Sequence, residues 1–440
     1  MLHERHAVMA RLLEFWRQAD PAPPAFLPSY PPREQARREG HLDRYLEAVE
    51  AELRAAPRSR PQQAAAERLT AAFRLFAREA LDFEDRHLDL LLTGGFTETG
   101  KGFARAARLF DPSMSVSDVF QASRNARTTN VLQIMLGLPA RLTPAIFGYS
   151  MLYPCTDNYL DHPGVSKANK NAFNRRFGAR LEGGRLAPAG RHEEQAWALV
   201  SLIESQYRRA EHPEVFASLC AIHRAQERSL ELHRAAGASA GDVLEIIFEK
   251  GGASVLADAW LAAGTLTPVA TELAFGWGVA LQLGDDLQDV AADARDGIRT
   301  AFSEAAGREP LDSAANRTFH FGARVLADLD GISAAAPPAI KELIRTSFFM
   351  LLTGAVGEAR QFYSVAYVQE LERRSPFTFE FLRGRRRRFT RSRGILERLV
   401  GALSAWDAPP EPGRSYARAE LYDLAQVRSL TVAVRYSRGS

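Results

Sequence analysis

The sequence predicts an all-α protein, and three observations carry that prediction. Apolar residues recur every three or four positions in LDRYLEAVEAEL (42–53), ERLTAAFRLFAREAL (67–81) and EEQAWALVSLIESQY (193–207), which puts them on one face of a helix. Alternating β-branched runs, the mark of half-buried strands, are few. Gly and Pro clusters at TGGFTETGKG, LFDPS, HPG, EGGRLAPAG, AAGAS, AAGTLTP and SAAAPP cut the chain into roughly ten or more helices joined by short loops.

Taken in order, residues 1–40 read as an N-terminal extension. Its AVMARLLEFW is interrupted by Arg11 and Glu14, unlike a secretory segment, and PAPPAFLPSYPP forbids a continuous helix, so an extended arm or linker is expected near 20–33. A helical domain over 41–400 follows, then a polar tail over 401–440. Within the domain, GFTETGKG (95–102) spells the GxxxxGK of a phosphate-cradling loop. Gly102 stands where that loop needs Ser or Thr, and no strand–helix alternation surrounds it, so a turn ahead of a helix KGFARAARLF (101–110) is the expectation. HRAQERSLELHR, with His223, Glu227 and His233, lacks zinc-protease spacing and reads as a helix surface. RGRRRRFTRSR (383–393) reads as a solvated face, with peripheral contact to an anionic membrane or substrate as the sharper alternative.

Composition narrows the class. Apolar residues make up 46% of the chain, enough for a sizeable core. Lys plus Arg number 56 against 53 Asp plus Glu, and the net charge of +3 argues against a general nucleic-acid binder. Cys155 and Cys220 cannot build a disulfide framework. No apolar run approaches the ~18 residues of a membrane span. A soluble, cytoplasmic protein is the expectation, and a homodimer is an assembly this reading admits.

The chemistry concentrates in two acidic stretches. In LQLGDDLQDVAADARDG (281–297), at ~100° per residue, Asp285, Asp286, Asp289 and Asp293 fall within one arc of about 100° while Leu283, Leu287 and Val290 lie opposite. In GYSMLYPCTDNYLDHPG (148–164), Asp157 and Asp161 share a helix face before Pro163 and Gly164 end the helix. Either motif alone also fits a solvated helix face. Their joint occurrence inside sequences as apolar as AFGWGVALQLG favours hard oxygen ligands for Mg²⁺ bridging substrate phosphates.

Upstream of the second motif runs IIFEKGGASVLADAWLAAGTLTPVATELAFGWGVALQLGDDLQD (246–289). Lys250 followed by small residues, Ala263-Gly264, Gly276 and Gly278, then Gln282 and GDD at 284–286 resemble the second half of trans-polyprenyl synthases, within the class I isoprenoid synthase superfamily. The overlapping Asp289xxxAsp293 is similar to the second motif of squalene and phytoene synthases. The resemblance implies an all-α bundle around a central cavity that binds an allylic isoprenyl diphosphate through three Mg²⁺, with Asp157, Asp161, Asp285, Asp286 and Asp289 as metal ligands and Lys250 on the diphosphate. Arg175 and Arg176 resemble the paired arginines that follow the first motif, displaced by the insertion HPGVSKANKNAF; exposed loop cations are the alternative. A carbocation needs a dry, π-rich lining, and Phe147, Tyr149, Tyr153, Phe248, Phe275 and Trp277 flank the motifs; Tyr153, one turn before Asp157, sits where bulky side chains of that family limit chain length.

Chain elongation in that family uses a GGKRxRP stretch and a His just before the first motif, and neither stands here; Asn158 also replaces the second of the paired aspartates. A terpene synthase that ionises one diphosphate and then cyclises or quenches the cation is the favoured expectation. Head-to-head or chain-elongating prenyl transfer is the alternative within the superfamily, and a non-catalytic isoprenoid-binding protein the alternative outside enzymology.

Overall fold

The structure is a computed structural model that describes residues 2–55, 62–162, 164–233 and 240–391. Certain side chains inside these ranges lie outside the description, among them those of Tyr153, Asp157, Asn158 and Asp161. The tail over 401–440 lies outside the described residues altogether.

The described chain is all-α. In order come α1 (Leu2–Gln18), α2 (Pro32–Ala55), α3 (Gln62–Leu81), α4 (Asp85–Thr93), α5 (Phe96–Phe110), α6 (Val116–Met135), α7 (Pro144–Asp161) and α8 (Lys167–Leu181). They are followed by α9 (Arg191–Gln206), α10 (Pro213–Ser229), α11 (Ala240–Ala263), α12 (Pro268–Asp296), α13 (Asp312–Ala327), α14 (Pro338–Glu358), α15 (Val365–Glu372) and α16 (Phe379–Arg391). Among the described residues the sole β pairing recorded is an isolated bridge between His233 and Ile298. No helix among them is long and apolar enough to cross a membrane.

Most boundaries follow local chemistry. The Thr267 hydroxyl accepts from the Ala270 N–H, Pro268 occupies the first turn where a missing N–H costs nothing, and Gly297, at φ +73°, closes α12. α7 stops at Asp161, ahead of Pro163, as the sequence requires. One boundary differs from expectation: α5 begins at Phe96, so most of GFTETGKG is helix rather than a turn. Lys101 pairs with Glu98 at 3.0 Å on that helix, an arrangement unlike a phosphate-cradling loop.

The chain divides into two compact units. The described part of the first falls within Met1–Leu92, Arg224–Leu256 and Thr267–Ile395. Its N-terminal segment is part of the core: Trp16, 6% exposed, meets Phe302 and Phe321 edge-on at centroid separations of 6.4 and 6.1 Å. The Pro-rich stretch is non-helical, as its prolines dictate, yet it is tied down, with the Tyr30 N–H donating to the Arg373 carbonyl at 2.8 Å and Arg374 to the Leu27 carbonyl at 2.8 Å. A second patch of this unit's core gathers Phe76 of α3, Leu88 of α4 and Phe377, with Tyr45 of α2 stacked on Phe76 at 5.2 Å.

The described part of the second unit comprises Thr93–His223 and Ala257–Leu266, with α7 packed along α9. His223 is buried rather than on a helix surface, edge-on to Phe177 at 5.2 Å, because the ring fills space that Gly178 leaves open. Asp258, 1% exposed, accepts from Thr129 Oγ1 at 2.8 Å and from Asn125 Nδ2 at 3.0 Å. Burial outweighs both hydrogen bonds and pushes its carboxyl up to about 7.

A folded-state value above the unfolded one means that the folded protein binds the Asp258 proton more tightly, so this group's contribution to stability is full below the ordinary value of 3.8 and is lost as pH rises towards 7. Thermal melts of wild type and Asp258→Asn at several pH values should therefore show the wild type losing ground to the variant as pH rises through that window. A difference in melting temperature independent of pH would refute the assignment.

Candidate functional site

In the first unit, α11 and α12 cross at glycines near the middle of each helix. A Cβ on Gly251 would sit 2.7 Å from the Gly278 carbonyl oxygen and 2.5 Å from Gln282 Cβ, so only glycine fits. Phe275 lies over Gly252 in the same way. This close approach sets Lys250 beside the acidic strip of α12, where its positive charge acts on both Asp286 and Asp293.

The four aspartates of the strip have unequal surroundings. Leu283, Leu287 and Val290 are fully buried, which fixes the rotation of α12 about its axis. Asp285 and Asp289, farthest round the arc from them, are exposed; Asp293 is half-buried; Asp286 is 6% exposed. Gln282 donates to Asp286 Oδ1 at 2.7 Å, while Asp286 Oδ2 is buried without a hydrogen-bond partner. Burial pushes Asp286 up to about 7, against the opposing pull of Gln282 and Lys250. Asp293 is pushed up to about 6 by burial first and then by the charge of Asp289. A buried, unpaired carboxylate oxygen costs a few kcal/mol, and a cation or a proton is what would satisfy it.

The donors fit one mode of metal binding and not another. Among the described residues no group of three or more His, Cys, Asp or Glu side chains is arranged to hold a metal ion unaided. Mg²⁺, however, is commonly held by one or two carboxylates together with water and substrate phosphate oxygens. Asp286, with its orphaned oxygen, and the nearby Asp293 suit that second mode, and a bound cation would displace the Asp286 proton.

The remaining predicted residues are distributed as follows. Asp157 and Asp161 lie on α7, in the other unit, and their side chains, with that of Tyr153, fall outside the described residues. Arg176 is committed to Glu193, with Nε to Oε1 and Nη2 to Oε2 both at 2.8 Å, and to the Ala187 carbonyl at 2.6 Å, which makes it a loop anchor. Arg175 is exposed. Phe147 packs between Phe103 and Phe110, at 5.4 and 6.2 Å, and Tyr149 beside it on α7 is half-buried. Phe248, fully buried, meets Phe321 at 5.8 Å. Trp277 is buried with its indole N–H unpaired.

Of the arginine cluster over 383–393, Arg385 is engaged by Asp43 and lies over the Phe381 ring, and the side chains from 386 onwards lie outside the described residues. Two titratable groups with perturbed surroundings are not among the ligands or donors the sequence singles out, although Asp293 belongs to the acidic arc it identifies. Asp293 was visible in the DxxxD spelling but not separable from its neighbours, and Asp258 was signalled only as an aspartate inside the apolar VLADAW. Compared with known proteins, the chain matches no family model and no curated sequence.

Gly278→Ala should force α11 and α12 apart and lower stability by about 1–3 kcal/mol, the usual cost of overpacking. Chemical denaturation measures it. A variant as stable as the wild type would show that the crossing is not as tight as described.

Proposed function

We propose that the chain is a class I terpene synthase, which ionises an allylic isoprenyl diphosphate with Mg²⁺ and cyclises or quenches the resulting cation. The observation that carries the reading is Asp286: a carboxylate nine-tenths buried, held by Gln282 through one oxygen, with the other oxygen unpartnered and Lys250 alongside. The EKGG…GDDLQD resemblance supports the same assignment.

On this reading the residues divide the work. Lys250 donates to the oxygens of the departing diphosphate, whose developing charge must be neutralised for the C–O bond to break. Asp286 and Asp293 would hold the cation, with the exposed Asp285 and Asp289 on the solvent side. Mg²⁺, when bound with substrate, supplies the further positive charge that makes diphosphate a good leaving group. Gln282 fixes the carboxylate of Asp286, and the buried Phe248, Phe275 and Trp277 keep water away from the crossing of α11 and α12.

Incubation with Mg²⁺ and geranyl, farnesyl or geranylgeranyl diphosphate should release diphosphate and give a hydrocarbon or alcohol of unchanged carbon number. Lys250→Ala and Asp286→Asn should each reduce the rate on the order of a hundredfold or more, the loss of several kcal/mol of transition-state stabilisation. A longer linear diphosphate formed when isopentenyl diphosphate is added would move the assignment to prenyl transfer. Saturable binding of the diphosphates without release would move it to a non-catalytic binding protein.

A further inference from the structure

A cleft of about 650 Å³ lies in the second unit, between the loop after α8 and the outer face of α9. That is the size of a small-molecule site. None of the residues assigned to diphosphate ionisation lines it. Three guanidinium groups, Arg180, Arg185 and Arg209, and one carboxylate, Glu204, border it, so the lining carries a net positive charge of two. Leu186, half-buried, supplies apolar surface at the cleft, and Trp197, 7% exposed, lies behind it.

The wall is built before any ligand arrives. Gly183, at φ +100°, turns the chain out of α8. The loop is then tied to both neighbouring helices, with Trp197 Nε1 donating to the Leu186 carbonyl at 2.8 Å and Arg176 to the Ala187 carbonyl at 2.6 Å, while Arg209, beyond the end of α9, donates to the Leu181 carbonyl at the end of α8 at 2.7 Å. Glu204 receives Arg180 through both oxygens, at 2.7 and 2.5 Å, and Arg209 through Oε1 at 3.0 and 2.8 Å. One carboxylate thus holds two guanidinium groups in place and neutralises only one of them. Arg185 forms no ion pair or hydrogen bond among the described residues. An exposed arginine beside a half-neutralised pair and a half-buried leucine is a surface that recognises a dianion attached to an apolar body.

We propose that this cleft binds a small phosphate monoester: the phosphate against the exposed Arg185, with the half-neutralised Arg180–Glu204–Arg209 cluster adding positive field, and the apolar part against Leu186. The site stands apart from the α11–α12 reading and does not depend on it.

Phenyl phosphate is the probe, titrated by calorimetry into the full-length wild type, with inorganic phosphate and benzoate as comparisons. Expected are saturable binding of phenyl phosphate, inorganic phosphate weaker by at least tenfold and competing with it, and benzoate weaker still. Arg185→Glu, a change at an exposed position that leaves the melting temperature unaltered, should abolish binding, and Arg185→Lys should retain part of it. Lys250→Ala should bind as the wild type does, which separates this cleft from the proposed diphosphate site. Loss of binding in Lys250→Ala with retention in Arg185→Glu would overturn the proposal, as would the absence of saturable binding. Equal affinities for phenyl phosphate and inorganic phosphate would overturn its apolar half.

Discussion

The close crossing of α11 and α12 at Gly251 and Gly278 is the contact on which the candidate site depends. Side chains on facing helices normally hold the backbones apart, and here their absence lets the carbonyl of one helix reach the other. Lys250 and Gln282 flank this point, and their alignment with Asp286 and Asp293 follows from it. Larger residues at the two glycines would leave the same ionisable groups in the chain with no common microenvironment.

Burial sets the chemistry of those groups. A single carboxylate inside an apolar helix pair costs stability unless hydrogen bonds, a counter-charge or a proton compensates. Asp286 has one hydrogen bond and one nearby cation, and its second oxygen has nothing. Asp258 is the informative contrast in the other unit: also buried and also pushed up to about 7, but with two donors converging on one oxygen and no basic side chain among the groups acting on it. The two aspartates are alike in burial and differ in partners: only the first has an orphaned oxygen and a lysine charge acting on it.

Arginines divide in the same manner between structure and recognition. Arg176 and Arg209 are spent on carboxylates and on the carbonyls that shape the loop after α8, whereas Arg185, nine residues beyond Arg176, faces solvent at a cleft. Sequence position did not distinguish them, since a pair such as Arg175 and Arg176 looks equally available for a phosphate. The partners that separate them, Glu193 and Glu204, come from α9.

The sequence by itself determined the all-α class, the break at AAGTLTP ahead of α12, the end of α7 before Pro163, and the gathering of four aspartates on one arc of one helix. Each of these depends on residues a few positions apart, where spacing, proline geometry and capping act locally. Only the tertiary structure decided that Asp286 and not Asp285 is the buried acid, that Arg176 anchors a loop, that His223 is in the interior, that Trp16 joins the core of the first unit, and that the chain forms two compact units. An arc of about 100° on a helix spans both covered and open surface, and which part is covered is set by neighbours tens or hundreds of residues away in the sequence.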